Sequence, residues 1–225
     1  MAEEDKYQEK LFTQKGLNKY IKKYEKIFYR KYNQDDYLTF KLRADKFFNF
    51  CRELKLTFIE IPRRDNTFPE IFNRQIKARL FLGVGCELLL KSIYLKKGYI
   101  INSINKDKRK EFKKFIQKKN ISEPYKIKEI PKRFIDSKNT FFMNYLLKHL
   151  HTIFQLKNNK RFITYIKKGF EVARVWRNKE AHSGIGYHNE TNDLSSALNM
   201  SIINTYSIIF NEKVSPLIRT AYKEF

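Results

Sequence analysis

The stretch from Pro69 to Lys97 constrains this chain most. Its apolar side chains Ile71, Phe72, Ile76, Leu80, Val84, Leu88 and Ile93 recur at helical spacing. Pro69 sits where a first-turn proline belongs, behind Thr67 as a cap, and Gly98 supplies the stop. The pattern predicts one long central helix, and a helix of that kind must be covered by others.

Three further segments supply the cover. Phe141 to about Phe154 reads as one helix, and Phe162 to His182 as a second. A third is capped by Asp193, carries Leu194, Leu198, Ile202, Ile203, Tyr206, Ile209 and Phe210, and ends near Ser215-Pro216. The expected fold is therefore all-α, an up-and-down helical bundle of about four core helices within residues 67–225. Residues 99–139 form a Lys-rich insertion between core helices, with one short helix around Lys110 to Lys118 and loop elsewhere.

Residues 1–66 read as a helical amino-terminal extension. Leu11, Leu17, Tyr20, Ile21, Tyr24, Ile27 and Phe28 mark an apolar face among many lysines, with Gly16 dividing the run in two. Asp35 or Asp36 can cap a following helix carrying Leu38, Leu42, Phe47, Phe50 and Cys51. Leu54 to Ile61 suits either a short strand or an ordered loop.

Composition sets the broad class. Hydrophobic residues make up 42%, enough for a core, and 20 Phe with 14 Tyr make that core aromatic. The net charge of +23 favours a polyanionic partner, and nucleic acid is the commonest. Two cysteines and a charged start without an apolar signal core fit a cytoplasmic protein. No run approaches a membrane-spanning length, so no membrane partner is expected.

Chemistry concentrates at the end of the Phe162–His182 segment, in Arg177-Asn178-Lys179-Glu180-Ala181-His182. Asn178 and His182 share a helix face one turn apart. Arg177 lies about 140° round the helix from His182, so only its long side chain could reach the same point. Glu87, an acid within Cys86-Glu87-Leu88-Leu89-Leu90, requires a partner if it faces inward, such as Arg177, Lys91 or a backbone amide. His188 stands in the turn beyond and could assist. His149 and His151, two residues apart, face different sides of a helix and cannot share a metal. No metal-ligand cluster, phosphate loop or dinucleotide fingerprint is present, so neither a metal nor another cofactor is expected.

The Arg177, Asn178 and His182 spacing resembles the signature of the HEPN superfamily, small all-α domains that include many metal-independent RNases. Glu87-Leu88-Leu89-Leu90-Lys91 through Lys96-Lys97-Gly98-Tyr99 is similar to an earlier core helix of such domains. The resemblance covers roughly residues 67–213. It implies an endoribonuclease in which the ribose 2′-OH attacks the phosphodiester. Arg177 would grip the phosphate, Asn178 would support it or the imidazole, and His182 would move protons. It also implies a homodimer with the two motifs facing each other, and a toxin–antitoxin or antiviral defence setting with a cognate partner. One branch is regulated through a Tyr two residues after the motif His; here Gly184 holds that position. The competing expectation is a non-catalytic helical module that binds RNA, a nucleotide or a partner protein.

Overall fold

A computed structural model describes residues 13–55, 68–154, 160–182 and 191–217. Its helices are α1 (Gln14–Ile27), α2 (Tyr37–Glu53), α3 (Phe68–Lys96), α4 (Arg109–Lys119), α5 (Met143–Lys148), α6 (Leu150–Phe154), α7 (Lys160–His182) and α8 (Thr191–Thr205). A π-helical turn, Tyr206–Phe210, continues α8. Two short strands, β1 (Asn102–Ile104) and β2 (Ile135–Thr140), and three 3-10 turns (Gln34–Asp36, Lys106–Lys108 and Lys132–Phe134) complete the described elements.

The fold is an all-α bundle whose four long helices pack in the order α2, α3, α7, α8. Each neighbour runs antiparallel to the last. Ser92 Oγ donates to Tyr37 O at 2.8 Å, and Arg74 Nη2 donates to Leu54 O at 2.7 Å, so α2 descends as α3 rises. Arg79 lies over the Trp176 ring while Gly83 meets Ala173, which sets α7 against α3 in the opposite sense. Ser201 Oγ points at Tyr165 O while Gly169 meets Ala197 O, which sets α8 antiparallel to α7.

The structure departs from expectation in which helices form this core. The Phe141–Phe154 segment is two short helices broken at His149, not one core helix. Its place is taken by α2, from the amino-terminal part, which buries Phe40, Ala44, Phe48 and Cys51. Of the expected stripe only Cys51 is buried: Leu38 and Leu42 are exposed, and Phe47 and Phe50 are half-buried. The central helix likewise buries Ala78, Leu82, Cys86, Leu89 and Ile93, whereas Ile76, Leu80 and Val84 are only half-buried. A helix covered on several sides need not present one clean apolar stripe.

Helix ends also differ in detail. Asp36 holds the N-cap position of α2, as expected, but its side chain caps no amide of that helix; it closes a capping box with Asn33 around the 3-10 turn that leads in. Gly16 lies in the first turn of α1, where Thr13 caps its backbone amide, and residues 5–12, on the far side of the expected division, lie outside the described residues. Asp193 lies inside the first turn of α8 rather than before it. Gly98, with φ +79°, follows the end of α3 as expected. Thr67 and most of Leu54–Ile61 lie outside the described residues.

The insertion is more ordered than a loop carrying one helix. β1 and β2 pair antiparallel, with Asn102 opposite Thr140 and Ile104 opposite Ile135. α4 sits over a small core of its own, made of Ile100, Phe112, Tyr125, Ile130, Phe134 and Ile135. His149 Nε2 lies 3.1 Å from Glu123 Oε2 where this unit meets the bundle, while His151 is exposed. Lys41 Nζ lies 3.0 Å from Asp45 and 2.8 Å from Glu212, and Tyr206 Oη donates to Asp45. These contacts tie the segment after α8 back to α2.

Candidate functional site

Helix α7 buries Ile163, Ile166, Phe170, Ala173 and Trp176 at intervals of three and four residues. Arg177 follows the last of these, on the shoulder of the buried stripe, so its side chain leaves the core beside α3. Two glycines in α3 make the approach possible. They lie two residues apart and therefore face opposite neighbours. A Cβ on Gly83 would fall 2.3 Å from Arg177 Cβ, and one on Gly85 would fall 2.5 Å from the Phe48 ring of α2. Glycine thus lets α3 pass close to α7 on one side and α2 on the other.

One turn beyond Gly83, Glu87 meets its partners. Arg177 Nη1 donates to Glu87 Oε2. Lys91 Nζ donates to the other carboxylate oxygen, Oε1, at 2.7 Å. Each oxygen of a largely buried carboxylate therefore has its own cation, which offsets the cost of burying it. Asn178 Oδ1 accepts weakly from Arg177 Nε at 3.4 Å and Nη2 at 3.3 Å. A guanidinium carries five N–H donors. Three are engaged among the described residues, which leaves Nη1 and Nη2 one each for a ligand.

The local field is positive. Burial lowers the Arg177 pKa from its ordinary value. Burial also brings Lys91 down to about 8, helped by the nearby charge of Arg43 from α2. Glu87 at 2.7 Å acts in the other direction and favours the charged ammonium. Arg177 and Lys91 share the Glu87 carboxylate and Arg43 lends further positive charge near Lys91, so two or more cations face one acid.

No family model, curated protein or solved structure matches this chain. The site must be read from its own residues.

Of the residues expected from sequence, Arg177, Asn178 and Glu87 come together, with Lys91 as the second partner of Glu87. Helix α7 is continuous to His182, which puts positions 178 and 182 one turn apart on one helical face. The side chain of His182 falls outside the description, as do residues 183–190 with Gly184 and His188. Among the described residues no group of three or more His, Cys, Asp or Glu side chains could hold a metal ion. No described helix is long and apolar enough to cross a membrane.

Sequence reasoning missed Arg43 and Gly83. Nothing in the spacing of α2 points Arg43 at Lys91. Gly83 did carry a signal, because a glycine inside a strong helical pattern often marks close packing.

Proposed function

We propose that the chain is a metal-independent endoribonuclease of the HEPN type, acting as a homodimer in a toxin or defence setting. The observation that carries this reading is the fixed guanidinium. Arg177 is held by Glu87 and Asn178, keeps two N–H donors free among the described residues, and sits on the same last turns of α7 as His182. Two N–H groups in one plane suit two oxygens of a phosphodiester.

In the proposed reaction Arg177 binds the non-bridging oxygens and offsets the charge that grows on them. An imidazole takes the proton from the ribose 2′-OH as its oxygen attacks phosphorus. The bond to the 5′-oxygen breaks, and that oxygen receives a proton from an imidazolium. The products are a 2′,3′-cyclic phosphate and a 5′-hydroxyl. Histidine suits both duties because its ordinary pKa, about 6.5, lies near neutrality. One His182 cannot be base and acid in the same step, so two copies facing each other across a twofold axis supply one each.

The test is incubation of wild type and His182→Ala with mixed RNA in excess EDTA. Cleavage by the wild type alone, giving cyclic-phosphate ends, is expected. Intact RNA with both proteins would replace this reading with that of a binding module.

A further inference from the structure

Helix α1 has an apolar face that its own bundle does not use. Tyr20, Tyr24 and Phe28, one turn apart, are 46%, 53% and 63% exposed. Their rings form a ladder: Tyr20 and Tyr24 are near-parallel with centroids 6.2 Å apart, and Phe28 meets Tyr24 edge-on at 5.2 Å. Leu17, Ile21 and Ile27 widen the same exposed face. Around the rest of the helix stand Lys15, Lys19, Lys22, Lys23 and Lys26, against one acid, Glu25. None of these lysines pairs with a carboxylate among the described residues.

A second cationic helix is anchored to the same part of the molecule. The chain leaving α1 is stitched to the insertion. Arg30 N donates to Ser137 O at 2.9 Å, Asn102 Nδ2 donates to Arg30 O at 2.9 Å, and Lys31 Nζ donates to Lys132 O at 2.8 Å. On the insertion, α4 turns Phe112 inward and exposes Lys110, Lys113, Lys114 and Lys118. These four also lack a carboxylate partner among the described residues, whereas Glu111, the helix's single acid, is taken by Lys108 and Arg133.

Unpaired lysines on two helices that share one anchor are the kind of charge that phosphates attract. Exposed rings at one-turn spacing add a different recognition, because unpaired bases stack on aromatic faces while a duplex keeps its bases inside. We propose that α1 and α4 form a docking surface for single-stranded RNA, with lysines on the phosphates and the Tyr20–Tyr24–Phe28 ladder under the bases. The choice of RNA rests on the RNase reading above; the preference for a single strand rests on the ladder.

The test measures binding to His182→Ala protein in EDTA, so that cleavage does not intervene. The probes are a labelled unstructured 20-nucleotide RNA and a duplex of the same length. The single strand should bind more tightly. Tyr20→Ala/Tyr24→Ala/Phe28→Ala should weaken single-strand binding at least about tenfold and leave duplex binding nearly unchanged. Tyr20→Phe/Tyr24→Phe keeps the rings and should keep the affinity, which separates lost stacking from a lost helix. Lys19→Gln/Lys22→Gln/Lys23→Gln/Lys26→Gln should flatten the salt dependence by about 0.7 per phosphate contact removed. Equal binding by the alanine variant, or tighter binding of duplex, overturns the proposal. So does ladder-dependent binding to phosphatidylserine vesicles with RNA binding unaffected, which would assign α1 to an anionic lipid surface. Failure of the RNase reading looks different: wild type would leave RNA intact while ladder-dependent binding persisted.

Discussion

Glu87 stands where α3 meets α7, bonding Arg177 through one carboxylate oxygen and Lys91 through the other. Replacing it with Gln keeps the shape but leaves two cations close together without their carboxylate. Glu87→Gln should cost about 1.5–3 kcal/mol in stability, the range for hydrogen bonds to charged groups, as read by urea denaturation. It should also lower cleavage by about tenfold to a hundredfold through misplacement of Arg177. Unchanged cleavage would show that the ion pair does not position the guanidinium.

Lys91 gives a pH signature. Its pKa is about 8 in the folded protein against an ordinary 10.5. Between those values the unfolded chain holds a proton that the native state lacks, so this residue's contribution makes stability rise with pH. The buried Cys51 and Cys86 thiols and the Tyr125 hydroxyl, all raised by burial, act in the opposite sense at higher pH. The comparison must therefore be with Lys91→Met. Wild type should gain on that variant from about pH 8 to 10.5, and a flat difference would refute the assignment.

At the scale of elements, the crossing of α3 and α7 depends on Gly83. Alanine there would place a methyl 2.3 Å from Arg177 Cβ and 3.0 Å from Ala173 O, so the helices must separate. Gly83→Ala should cost about 1–3 kcal/mol, the usual penalty of overpacking, and should lower cleavage through the displaced Arg177. Chemical denaturation beside an activity assay would check both. The same crossing shows what the sequence made legible. The interval from Arg177 to His182, the existence of α3 and α7, and the need of Glu87 for a cation all follow from local rules. The buried faces of α2 and α3 do not. Both helices carry apolar residues on more than one side, and tertiary packing selects Phe40, Ala44 and Phe48 over Leu38 and Leu42. The insertion was hidden for a related reason, because a two-stranded ribbon and a six-residue core have too few apolar positions to show periodicity among so many lysines.

At the scale of the whole molecule, proton bookkeeping and charge oppose each other. The proposed cleavage needs a base and an acid, which asks for two copies of His182 in one site. A formal charge of +23 on each copy repels the partner. Salt should therefore favour the homodimer while weakening RNA binding, so activity should pass through a maximum as ionic strength rises. Mixing experiments separate a shared site from two independent ones. If wild-type and His182→Ala subunits are refolded together in equal amounts and pair at random, only dimers with two wild-type subunits hold both imidazoles. Cleavage should then fall to about a quarter of that given by the same total amount of wild type, because paired copies combine as the square of the wild-type fraction. Independent sites would leave about half. Measured at the salt optimum, where sedimentation shows the dimer, a value near half would dismiss the shared site.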